Sequence, residues 1–207
     1  MPLRRLLVFP LALALACSDS GGPDDGGNDT VKPPSDLTIL RLAEDSPALF
    51  STEVSFYAVR GDNREGEISF VDDEHPGEPG ERYLELRVDA EALAARPDGS
   101  PIAEGDSVLI TVRVVNPAQL LFEFEPAGLT FNPSRPAELR IHYHHADDDL
   151  DEDGDVDLDD ESLELTIGIW RQENDGDPFE RLGSLLIDNL EEVEAELGGF
   201  SRYALAY

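Results

Sequence analysis

The stretch SVLITVRVV, residues 107–115, sets Val108, Ile110, Val112 and Val114 on one side of an extended chain and Ser107, Leu109, Thr111 and Arg113 on the other. A period of two is a strand period, and a strand with one apolar side buries it against a second layer. The alternation recurs in AELRIHYH, 137–144, where Leu139, Ile141 and Tyr143 oppose Glu138, Arg140, His142 and His144. Runs of the same kind fall at 37–43, 53–60, 65–71, 82–89, 120–125, 163–170, 179–187 and 200–206. Turn residues separate them: Gly61-Asp62-Asn63, the Pro76 to Gly80 cluster, Pro97-Asp98-Gly99 and Asp175-Gly176-Asp177-Pro178. Half-polar strands at this spacing predict an all-β fold, an antiparallel β-sandwich with at most one or two short helices. A short helix is expected at 90–96, AEALAAR, stopped by Pro97. LEEVEAEL, 190–197, fits both periods and is read as a strand because its neighbours alternate.

The chain opens MPLRRLLVFPLALALAC. Arg4 and Arg5 precede an apolar run from Leu6 to Ala16 that is too short to span a bilayer, which reads as a secretory signal over residues 1–17. Its end, Ala14-Leu15-Ala16-Cys17, resembles the lipobox of bacterial lipoproteins, with Ala14 where leucine is usual. The resemblance implies that Cys17 is lipidated and holds the protein to a lipid bilayer. Ser18 at the next position implies the outer membrane, and the acidic residues beyond it a surface-exposed place in the cell envelope. Cys17 is the single cysteine, so no internal disulfide forms in an exported chain where one would persist. Residues 18–36 carry one apolar residue, Val31, and are expected to be a disordered acidic Gly/Pro/Ser tether reaching about 25 Å. Residues 37–207 are left for the sandwich, as one domain or as closely packed halves 37–119 and 120–207. A formal net charge of −31 argues against nucleic acid as a partner and favours cations or basic surfaces.

From Leu120 the chain reads LLFEFEPAGLTFNPSRPAELRIHYHHAD, later LELTIGIWRQENDGDPFERLGS, and finally GGFSRYALAY. This order resembles the ZU5-like β-sandwich modules of bacterial exported proteins. Some relatives of that fold cleave themselves between Phe and Ser in a His-Phe-Ser sequence. Phe200 and Ser201 are present, but Gly199 stands where the histidine would be, so the serine lacks an adjacent base. Phe200 and Tyr203 are read as core residues of the last strand.

Carboxylates are densest in DLDEDGDVDLDD, 149–160. A Ca²⁺ loop needs oxygen ligands at alternate positions, a glycine at the sixth, a backbone carbonyl at the seventh and a closing acid at the twelfth. Asp149, Asp151 and Asp153, then Gly154, the Asp155 carbonyl, Asp157 and Asp160 fill those places. Registers beginning at Asp147 or Asp151 put Glu152 or Val156 at the glycine position, so only one register works. Val156, at the eighth position, is expected to anchor the loop to its domain. The twelve residues resemble a dockerin or EF-hand-type calcium loop, present in one copy, with a strand upstream and room for at most one helical turn at Glu161-Ser162. The resemblance implies one bound Ca²⁺ in a loop inserted between sandwich strands. His142 and His144, alternating onto one strand face, form a second and weaker metal candidate for a transition metal, with His145 out of register. No Ser-His-Asp order, phosphate loop or zinc-protease helix is recognisable. The expectation is a non-enzymatic lipoprotein that binds an unknown protein or glycan. Its rivals are a polysaccharide-acting enzyme and a self-cleaving module.

Overall fold

A computed structural model describes residues 30–207; Cys17, the signal and the tether up to position 29 lie outside them. The alternating runs become strands β1 (Val31–Lys32), β2 (Glu53–Val59), β3 (Arg64–Val71), β4 (Pro79–Val88), β5 (Leu93–Ala95), β6 (Ser107–Val114) and β7 (Leu121–Glu125). After them come β8 (Thr130–Phe131), β9 (Ala137–His142), helix α1 (Leu158–Glu164), β10 (Gly168–Gln172), β11 (Phe179–Arg181), β12 (Ser184–Ile187), β13 (Glu192–Leu197) and β14 (Arg202–Ala206).

Two antiparallel sheets face each other. One has seven strands in the order β1-β11-β10-β14-β7-β6-β2, the other five in the order β12-β13-β9-β4-β3, and β5 pairs with β8 apart from both. Their inner faces carry the residues the alternation selects. Ile110 and Val112 of β6, Phe122 and Phe124 of β7, Leu139 and Ile141 of β9, and Tyr203 of β14 are all buried in one continuous cluster. Phe124 meets Tyr203 edge-on at 5.1 Å, a geometry aromatic quadrupoles favour, and Phe200 in a tilted contact at 5.4 Å. Each sheet draws strands from both sides of residue 119, so the two halves share this core.

The outer face of the seven-stranded sheet has a smaller apolar patch of its own. Trp170, Ala204 and Leu121 lie side by side in register, and Leu37 is buried against them with Ile39 packed at the edge. Residues 31–36, which composition places in a disordered segment, are ordered beside this patch. Val31 and Lys32 pair with Glu180 and Phe179 of β11, and the Lys32 ammonium sits 5.3 Å from the centre of the Trp170 ring. A polar segment orders here because an open strand edge and an indole face receive it.

Four further expectations are corrected. Residues 90–96 are not helical: Ala92 and Leu93 are fully buried, and β5 bonds to β8, so burial against the core outweighs helix propensity. Residues 37–43 make bridges rather than a strand, with Ile39, Arg41 and Leu42 opposite Ala206, Gln119 and Ala146. The run at 163–170 begins in α1 and becomes extended only at Gly168. The run at 179–187 breaks at Leu182-Gly183, so that β11 and β12 join different sheets. The segment expected as a strand at 190–197 is one from Glu192 onward, where β13 pairs with β9 along its whole length, while Leu190 ends a short 3-10 turn.

Candidate metal centre

The acidic loop hangs between β9 and α1 and is tied down at its start. Asp147 N–H donates to the Arg41 carbonyl at 2.9 Å, Ala43 N–H to the His145 carbonyl at 3.0 Å, and Leu42 bridges Ala146. Past that tie the chain coils on its own carboxylates. Asp149 accepts from the backbone N–H of Asp153 at 3.1 Å and of Gly154 at 3.0 Å, Asp151 from Asp153 at 3.1 Å, and Asp153 from Asp155 at 3.1 Å. Gly154 has φ +97°, in the left-handed region where a side chain is strained, which is the physical need for glycine in the middle of the run. One carboxylate oxygen each from Asp149, Asp151 and Asp153 lies within 4.8 Å of the others.

Asp157 and Asp160 are engaged differently. Asp157 caps α1, accepting from Asp159 N–H at 2.7 Å, while Asp160 reaches back to Asp157 N–H at 2.9 Å in a reciprocal capping box. The other Asp160 oxygen takes N–H bonds from Leu150 at 2.7 Å and Asp151 at 3.1 Å, so this buried carboxylate ties the end of the loop to its beginning. Those donors, Asp157 N–H first, hold Asp160 below the usual carboxylate range. Asp151, although exposed, is pushed the other way, first by loss of water around its carboxylate within the loop and then by the negative charges of Asp153, Asp160 and Asp149. Asp155 and Asp157 are exposed at the loop's rim.

Two details of the loop differ from expectation. The seven residues of α1 make nearly two helical turns, because the box and the acids of the first turn stabilise its N-terminal end. Val156 does not anchor the loop; it is 65% exposed. Leu150 takes that place, packing against the core while the Tyr207 hydroxyl donates to its carbonyl. Alternation does not reveal such an anchor, because Leu150 stands alone among acids.

The histidines regroup. His142 ends β9, half-buried, with Nε2 3.3 Å from Glu192. Beyond it the chain turns, and His144 and His145 both direct Nε2 at the same Glu81 oxygen, at 2.8 and 3.2 Å. Glu81 carried no signal in the sequence; the pairing of β4 with β9, the bulge in β4 and the turn after His142 together bring it there. Ser201, the residue of the self-cleaving alternative, is buried and accepts from the Arg171 guanidinium at 3.0 Å, a group that supplies protons rather than removing them. Comparison with protein-family models, curated proteins and solved structures returns no match.

Proposed function

We propose that this chain is a lipid-anchored outer-membrane protein of non-enzymatic, binding or structural type, whose sandwich is stabilised by one Ca²⁺ in loop 149–160. The convergence of Asp149, Asp151 and Asp153 around the left-handed turn at Gly154 carries the reading. A hard cation with six to eight oxygen ligands suits that donor set, completed by the Asp155 carbonyl, Asp157 and Asp160. The ion supplies positive charge where carboxylates crowd. The protein supplies the fixed entry at Leu42 and Ala146 and the fixed exit into α1. Extracellular sites of this type bind at about 10⁻⁴ to 10⁻³ M, so millimolar calcium stabilises the fold by roughly 0.5 to 1.5 kcal/mol.

Calorimetric melting of the full chain in calcium and in chelator tests this. The melting temperature is expected to rise with calcium, and Asp153→Ala to abolish the rise. An identical calcium response in Asp153→Ala refutes the site. The anchor rests on the Ala14 to Cys17 sequence, and loss of fatty-acid labelling in Cys17→Ser checks it. A protein or glycan partner is the expected target of the displayed domain.

A further inference from the structure

We propose that Glu81, His144 and His145 form a second metal site, selective for a borderline divalent ion such as Zn²⁺ and separate from the acidic loop. Each residue offers one ligand atom, and the three atoms lie within 4.8 Å of one another. Zinc takes nitrogen at about 2.0–2.1 Å and carboxylate oxygen at about 2.0–2.2 Å, which places neighbouring ligands of a tetrahedron about 3.3 Å apart. The contacts from Glu81 to the two imidazoles are 2.8 and 3.2 Å, so a small outward movement of one side chain admits the ion. Glu81 is free to make it, with its side chain 69% exposed. The ion replaces the protons that now bridge two nitrogens to one oxygen.

The site is built rather than accidental. Phe70 packs edge-on against both rings, at 5.9 Å from His144 and 4.6 Å from His145, and fixes their orientation. Between the pairs Ile68↔Leu84 and Ser69↔Arg82, β4 carries one residue more than β3, the bulged Tyr83. Bulges re-aim side chains, and this one lets Tyr83 and Leu84 both turn inward. Gly80 holds the start of β4 close, since a Cβ there would stand 2.9 Å from the Asp72 backbone. Two imidazoles and one carboxylate leave a coordination position open toward the groove of about 480 Å³ that Asp72, Asp73, Glu74 and His145 line.

The test is a Co²⁺ titration of the full, tag-free chain carrying Cys17→Ser, with millimolar calcium present to occupy the acidic loop. One equivalent is expected to bind with the strong visible absorption of a low-coordinate site, and Zn²⁺ to displace it. Glu81→Gln and His145→Gln are each expected to weaken binding at least about tenfold, and His142→Gln and Asp153→Ala to leave it unchanged. Glu81 lies at the surface, so its variant keeps the fold and decides the matter even if His145→Gln unfolds. Wild-type affinity in Glu81→Gln, or a signal lost in Asp153→Ala, overturns the site.

Discussion

Glu85 on β4 has a side chain only 2% exposed, beneath two arginines that are 47% and 38% exposed. It accepts from Arg82 Nη1 at 3.0 Å and from Arg87 Nε, and it stands in register between Glu67 on β3 and Arg140 on β9. The burial is one-sided, and this predicts an asymmetry. Glu85→Gln leaves both guanidiniums in water and removes only the charge assistance of two hydrogen bonds, costing about 1–2 kcal/mol. Removing the arginines instead strands a desolvated carboxylate beside Glu67. Loss of the partners of a buried charge costs about 3–5 kcal/mol, with the lower end apt here because truncated arginines let water approach. Freed Glu67, 39% exposed, adds little. Urea unfolding at neutral pH should rank Arg82→Ala/Arg87→Ala as clearly worse than Glu85→Gln, and adding Glu85→Gln to the double variant should restore part of the loss. A Glu85→Gln cost equal to or above that of the arginine pair would show that the carboxylate is not desolvated.

Gly154→Ala meets open space, so its cost is purely backbone: about 1–2 kcal/mol in chelator, measured by thermal melting, together with weaker calcium binding. Lys32→Ala removes one of two cations over the indole, leaving the Arg181 guanidinium at 5.7 Å, and should lower stability by about 0.5–1 kcal/mol, followed through Trp170, the chain's single tryptophan. Asp98 is held below its ordinary pKa of 3.8 by the Ser100 hydroxyl and then its N–H, so its contribution is complete above that value and is lost as pH falls through the lower folded one; Ser100→Ala should raise the titration midpoint in a carboxyl NMR titration. Gly199→His would restore the His-Phe-Ser order, yet its Cβ would stand 2.8 Å from the Leu129 carbonyl oxygen. It should destabilise the chain and yield no fragment ending at Phe200 on a denaturing gel.

Alternation was a reliable guide wherever one face is buried and the other wet. The observed β6, with Val108, Ile110, Val112 and Val114 buried and its alternate residues more exposed, reproduces the written pattern. The strand read from alternation at 37–43 and the helix expected at 90–96 both failed, because each segment's structure is decided by what it touches far away in sequence: Ala206 for Ile39, Phe131 for Leu93. Within the acidic loop the left-handed turn at Gly154 and the convergence of Asp149, Asp151 and Asp153 on it were legible because a turn and the carboxylates that accept its N–H groups are local. The anchoring role of Leu150 and the meeting of Glu81 with His144 and His145 were not, since a bulge in β4 and a turn after β9 create them. Period-two reading also assigned His145 to the wrong side, because the strand it assumed stops at His142.

The segment from Thr38 to Leu42 lies between the last strand and the approach to β7. Thr38 exchanges two backbone hydrogen bonds with Tyr207, at 3.3 and 3.1 Å, and Leu40 N–H donates to the Leu205 carbonyl at 3.0 Å. The two stretches run antiparallel, so both leave the sheet at the same end. Tension applied between the N-terminal side of this segment and Tyr207 therefore loads the bonds one after another, as a zipper, rather than all together in shear. Once Val31 and Lys32 have peeled from β11, Thr38 and Tyr207 part, then Leu40 and Leu205. Leu42 follows only when its bond to the Ala118 carbonyl and its bridge to Ala146 give way, so a pull from the N-terminal side reaches the acidic loop last.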